Sequence, residues 1–231
     1  MKRRKPISQD YMLPIEPLTD NQKVMFDAWD EGKMIYAYGV AGTGKTFVAL
    51  YKALKEVLDD YSPYEKIYIV RSLVATREIG FLPGDHEDKS SLYQIPYKNM
   101  VQAMFEMPDD NSYEMLYDNL KAQETISFWS TSFIRGTTLD NSIVIIDECQ
   151  NLNFHELDSI ITRVGQDSKI IFCGDAAQTD LQKISERTGI IDFQRILQNM
   201  EEFSLVEFGL DDIVRSGLVK SYLINKINLG L

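Results

Sequence analysis

The feature that most restricts how this chain can fold is the octapeptide Gly39-Val40-Ala41-Gly42-Thr43-Gly44-Lys45-Thr46, spaced Gly-x-x-x-x-Gly-Lys-Thr. An apolar run, Met34 to Val40, leads into it, and Lys45 to Leu58 follows with Phe47, Val48, Leu50, Tyr51, Leu54 and Leu58 at helical spacing. Strand, glycine-rich turn and helix in that order are what a phosphate-binding loop requires. The glycines let backbone N–H groups turn inward around phosphate oxygens, and the helix N-terminus adds the positive end of its dipole. Lys45 then reaches the β- and γ-phosphates and Thr46 ligates Mg²⁺.

The rest of the chain repeats the same alternation. Thr19 caps a helix over Asp20 to Asp30, and Lys66 to Val70, Ile126 to Ser130, Ser142 to Asp147 and Lys169 to Gly174 read as buried strands. Helical patterns fall at Met100 to Glu106, Ser112 to Glu124 and Glu156 to Val164, a further strand at Phe203 to Phe208, and a terminal helix at Asp211 to Ile227. Strands alternating with helices predict an α/β fold, a mostly parallel sheet with helices on both faces. Residues 1–18 hold three of the seven prolines and read as an extended arm, leaving 19–231 as a single domain. Arg71 to Lys98 fits neither period and contains Pro83, Gly84 and Pro96, which predicts an irregular insert.

Composition limits what the chain can bind. Of 231 residues, 44% are hydrophobic and 26% charged, enough to form a core without staples, and the net charge of −11 repels phosphate except where basic side chains gather locally. Cys149 and Cys173 lie beside apolar runs and read as core residues of a reducing, cytoplasmic protein; His86 and His155 lack partners at metal-ligand spacing. Lys2 to Lys5 are followed by polar residues and no apolar run approaches the roughly 20 residues of a membrane span, so neither a secretory leader nor a membrane segment is expected.

Ser142-Ile-Val-Ile-Ile-Asp147-Glu148 is an apolar strand ending in two carboxylates. Asp147 is placed to join Thr46 on the Mg²⁺ shell and Glu148 to act as base toward the attacking water. With these motifs the chain resembles the PhoH-like family, allied to superfamily 1 helicase-type ATPases. The likeness rests on the Gln22 region, Gly39 to Thr46, Gly80 to Asp85, Arg135 to Asp140, Asp147 to Asn151, Gly174 to Gln178 and Asp212 to Ser216, in the family's order. Cys149 departs from a usual Ala, and Tyr93, Tyr97, Tyr113 and Tyr117 form an unusual tyrosine-rich stretch.

The resemblance implies a RecA-like P-loop NTPase that binds ATP with Mg²⁺ through Gly39, Val40, Ala41, Gly42, Thr43, Gly44, Lys45, Thr46 and Phe47 and hydrolyses it. It implies an adenine-reading role for Gln22, while Gln178, after an apolar strand, is placed to sense the γ-phosphate or the attacking water. Arg215, at the start of the expected last helix, matches a family arginine suited to bridging transition-state oxygens. With one RecA-like core in 231 residues, a neighbouring subunit is expected to supply that arginine, which fits a ring homo-oligomer. Arg71, Arg77, Lys89, Lys98 and Arg135 interleave with Phe81, Tyr93 and Tyr97, a mixture suited to single-stranded nucleic acid, and the resemblance implies RNA in preference to DNA. The competing expectation is a nucleotide-gated interaction protein whose ATP state controls a protein partner.

Overall fold

The computed structural model of the chain describes residues 7–71, 86–134, 136–175 and 184–229, with the side chains of 86–93, 132, 133 and 184–188 outside that description. In chain order the elements are α1 (Asp20–Asp30), β1 (Met34–Gly39), α2 (Lys45–Val57), β2 (Lys66–Arg71), α3 (His86–Gln102), α4 (Asp110–Ala122) and β3 (Ile126–Trp129). There follow α5 (Thr131–Ile134), β4 (Ser142–Asp147), α6 (Phe154–Ile161), β5 (Lys169–Gly174), α7 (Ile184–Gln198), β6 (Phe203–Phe208) and α8 (Gly217–Asn228). The six strands form one sheet in the order β3-β2-β4-β5-β1-β6, with every pairing parallel.

Strand alternation divides the core into two layers. Ile35, Ala37, Ile67, Ile69, Ile143, Ile145 and Ile171 face a cluster built with α1 to α4, and Tyr36, Val144, Ile146, Ile170 and Phe172 face one built with α5 to α7. The central strands β4 and β5 are buried at every residue, which is why both read as unbroken apolar runs. The register between β2 and β4 sets Arg71 directly opposite Asp147 at the carboxyl edge of the sheet.

Several elements differ from the sequence expectation, in which α5 and α7 have no counterpart. The stretch expected to be irregular over 71–98 is helical from His86, and α3 carries Pro96 inside it. Pro96 removes one backbone donor and the helix lacks a clean apolar stripe, so its period is hidden in the sequence. It ends at Gln102, and Met104 and Phe105, expected inside a helix, instead meet the N-terminal arm. Leu13 N–H donates to the Met104 carbonyl and Ile15 N–H to the Tyr51 hydroxyl, so the described part of the arm is docked on the core.

The expected helix from Asp211 is likewise interrupted: a 3₁₀ turn, Leu210–Asp212, precedes a non-helical connector, and α8 begins only at Gly217. The Asp212 carboxylate accepts from Gly209 N–H and from the Asn21 side chain, each at 2.8 Å, which fixes the turn against α1. Among the described residues no helix is long and apolar enough to cross a membrane.

Candidate nucleotide site

The carboxyl ends of β1, β4 and β5 open into a cleft of about 560 Å³ lined by the loop after β1, Gln22, Arg71, Tyr97, Asp147, Glu148, Asp175 and Arg215. The loop's shape depends on glycine. Gly39 has φ +115°, and a Cβ there would lie 2.2 Å from the Phe208 carbonyl oxygen, the same atom that accepts Val40 N–H. Gly42 and Gly44 have φ of +76° and +84°, so the backbone between β1 and α2 turns through the left-handed region without a side-chain penalty. The Lys45 ammonium is buried among oxygens, donating to the carbonyls of Gly39 at 3.0 Å and Val40 at 2.7 Å and to the Thr43 hydroxyl at 3.2 Å. Burial lowers its pKa, opposed by the nearby charges of Asp175, Glu148 and Asp147.

The carboxylates stand at the end of β4. Thr46 donates its hydroxyl to Asp147 Oδ1 at 2.7 Å, and the Tyr97 hydroxyl donates to Oδ2 at 2.6 Å. Burial first, and the Asp147 charge second, push the Tyr97 hydroxyl far above the ordinary phenol range, so it acts as a donor. Glu148 adopts φ +52°, ψ +41°, a left-handed conformation that costs a non-glycine residue about 1–3 kcal/mol and that gathers at functional sites. Its carboxylate accepts from Gln150 Nε2 at 2.6 Å and lies 4.0 Å from the Arg71 guanidinium. Gln150 Oε1 in turn accepts Asp175 N–H at 2.9 Å, which ties the turn after β4 to the end of β5. Gly174 permits this closeness, since a Cβ there would lie 2.6 Å from Cys149 Sγ.

The structure gathers most of the expected site residues and redirects others. Gln22 sits under the loop, with Nε2 donating to the Thr43 carbonyl at 2.9 Å and Oε1 accepting Leu18 N–H at 2.8 Å, so both ends of its amide are engaged within the chain. Arg215 lies in the connector before α8, and its Cγ would be 3.0 Å from a Cβ on Gly42. Val214 N–H donates to the Gly42 carbonyl at 3.0 Å, so this arginine flanks the loop of its own chain.

The basic and aromatic set expected to hold nucleic acid does not assemble on the described surface. Tyr97 is buried at 2% exposure, Arg71 turns toward Glu148, and Lys98 pairs with Glu114 over the Tyr117 ring. Tyr113 and Tyr117 are buried too. Gln178, Arg77, Phe81 and Arg135 lie outside the described residues, as do the side chains of Lys89 and Tyr93. Tyr97, Arg71 and Gln150 were not assigned to the site by sequence. Only the position of Arg71 at the end of a strand neighbouring β4 could have signalled it, and strand order is not written in the sequence.

These residues fit a nucleotide's phosphate chain and a divalent cation: three left-handed glycines, a buried lysine with oxygen partners, and a hydroxyl paired to a buried carboxylate across two elements. A parallel sheet with this loop at its edge defines a P-loop NTPase fold. The large terminase of a thermophilic bacteriophage, solved in complex with ADP, shares it with a TM-score of 0.51 and 14% sequence identity, over 89% of this chain and 49% of the terminase.

The sequence profile described as PhoH-like protein matches residues 14–225, and the chain belongs to that family. The chain is 32% identical over 206 residues to a PhoH-like protein of Mycobacterium leprae (strain TN), covering 89% of this chain and 56% of that one. It is 31% identical over 210 residues to a PhoH-like protein of Bacillus subtilis (strain 168), with 87% and 60% covered. To Protein PhoH of Escherichia coli (strain K12) it is 29% identical over 212 residues, with 91% and 57% covered. The chain thus spans little more than half the length of these relatives.

Proposed function

We propose that this chain binds ATP with Mg²⁺ and hydrolyses it by attack of water on the γ-phosphate. The observation that carries this is the hydrogen bond from Thr46 to Asp147, which joins the first turn of α2 to the end of β4 as a divalent-cation site beside a phosphate loop requires. In this reading Gly39 to Phe47 wrap the phosphates, and Lys45 turns from its loop carbonyls to the terminal phosphate oxygens. Thr46 and Asp147 hold the cation, which when bound supplies charge neutralisation on the phosphates. Glu148, steadied by Gln150 and Arg71, orients the water and takes its proton, and Arg215 stabilises transition-state charge from within the same chain. Gln178 as the sensor belongs to the same proposal.

We further propose coupling of hydrolysis to single-stranded RNA through Arg77, Phe81, Lys89, Tyr93 and Arg135, and self-association. Support for self-association comes from α8, none of whose residues is buried, with Leu218 and Tyr222 exposed at 83% and 65%, and Leu229 just beyond it at 73%. The same helix favours the second reading, in which nucleotide state controls a protein surface. The connector leading into α8 is bonded to Gly42, so a change at the loop reaches that surface, and the partner is a second copy of this chain.

The test is turnover and nucleotide binding on a size-resolved sample, with and without single-stranded RNA. Lys45→Ala is expected to lose tight ATP binding, and Glu148→Gln to keep ATP while turnover falls by about 10²–10⁴-fold. Turnover of Glu148→Gln within a few-fold of wild type would remove Glu148 from the chemistry. Stimulation by RNA favours nucleic-acid coupling, whereas turnover that rises only with protein concentration favours the gated surface.

A further inference from the structure

Tyr97 belongs to α3, outside every motif that marks nucleotide chemistry in the sequence, yet its hydroxyl reaches the acid at the end of β4. Asp147 therefore takes hydroxyls from two different helices, Thr46 of α2 on Oδ1 at 2.7 Å and Tyr97 of α3 on Oδ2 at 2.6 Å. The Tyr97 ring rests on Phe128 of β3, with centroids 5.4 Å apart. Ring and hydroxyl thus do separable things, since the ring fills space between α3 and the sheet while the hydroxyl holds one carboxylate oxygen. α3 is bound in turn to α4, through the Lys98–Glu114 ion pair and a hydrogen bond from the Tyr113 hydroxyl to the Lys98 carbonyl.

We infer that Tyr97 is a positioning residue: its hydroxyl fixes the Asp147 carboxylate so that Oδ1 faces Thr46, and it thereby raises the affinity of the site for a divalent cation. A carboxylate oriented by an outer hydrogen bond binds its metal more tightly, because no torsional freedom remains to be lost on binding.

This rests on the cation role proposed above for Asp147, and the experiment separates the two. Mn²⁺ affinity is measured by electron paramagnetic resonance in the presence of ADP for wild type, Tyr97→Phe, Tyr113→Phe and Asp147→Asn, with ADP binding in EDTA recorded in parallel. Tyr97→Phe keeps the ring and removes the donor, and is expected to weaken Mn²⁺ binding by about 10–100-fold while leaving metal-free ADP binding unchanged. Tyr113→Phe removes a hydroxyl from the same helix pair that is bonded to the Lys98 carbonyl and not to Asp147, and is expected to stay within about twofold of wild type. Wild-type Mn²⁺ affinity in Tyr97→Phe, with Asp147→Asn impaired, overturns the role of Tyr97 alone. Equal losses in Tyr97→Phe and Tyr113→Phe also overturn it, since the hydroxyl then matters only to packing. Undiminished Mn²⁺ binding in Asp147→Asn removes the cation role of Asp147, and the inference with it.

Discussion

At Gln22 one side-chain amide joins two stretches of chain, the Leu18 N–H on one side and the Thr43 carbonyl on the other. An adenine edge needs both ends of such an amide, so reading the base would leave a buried donor and acceptor without their present partners. Gln22→Ala is therefore expected to weaken ATP and GTP binding alike, by about tenfold or 1.4 kcal/mol, as the loop loses its support. Competition against a fluorescent nucleotide measures this, and a loss confined to ATP would restore the adenine-reading role. Motif spacing picked out Lys45, Thr46, Asp147 and Glu148, which the fold brings to one cleft. It failed at Tyr97, whose hydroxyl takes its meaning from a carboxylate 50 residues away.

On the scale of elements, α3 and α4 show how a tyrosine-rich stretch becomes core. Tyr113 donates its hydroxyl to the Lys98 carbonyl, whereas the buried Tyr117 hydroxyl has no hydrogen-bond partner among the described residues, and burial pushes it up to about 12. Removing the two hydroxyls should have opposite effects. Tyr117→Phe is expected to leave stability unchanged or raise it by about 1 kcal/mol, and Tyr113→Phe to lower it by about 1 kcal/mol because a carbonyl loses its donor. Denaturant midpoints at constant slope report the difference, and equal losses in both would show that Tyr117 has a polar partner. Helix α3 was illegible for a local reason, Pro96 and a weak apolar stripe, and its stability comes from contacts with α4, β3 and the site.

For the molecule as a whole, stability against pH carries one separable signature. Lys169 opens β5, its ammonium donates to the Trp29 carbonyl at 3.0 Å, and burial brings its pKa down from 10.5 to about 8. Below pH 8 folded and unfolded chains both hold the proton and the burial penalty is complete. As pH rises from 8 toward 10.5 the folded chain releases it while the unfolded chain keeps it, so stability from this group increases. Wild type is thus expected to gain on the order of 2 kcal/mol relative to Lys169→Met between pH 8 and pH 10, read from paired denaturation curves. A difference that stays flat over that range would mean Lys169 titrates as an exposed lysine. The alternation of apolar strands with amphipathic helices, and the glycine spacing between the first such pair, determined the α/β class, the phosphate loop and the acid pair from sequence alone, because period and spacing are local properties of a chain. Strand order is not local. Only the tertiary structure set β4 and β5 between β2 and β1, turned Arg71 and Gln150 toward Glu148, folded Arg215 back on Gly42 and brought Tyr97 to Asp147, because these contacts arise when distant segments compete to bury the same two faces of one sheet.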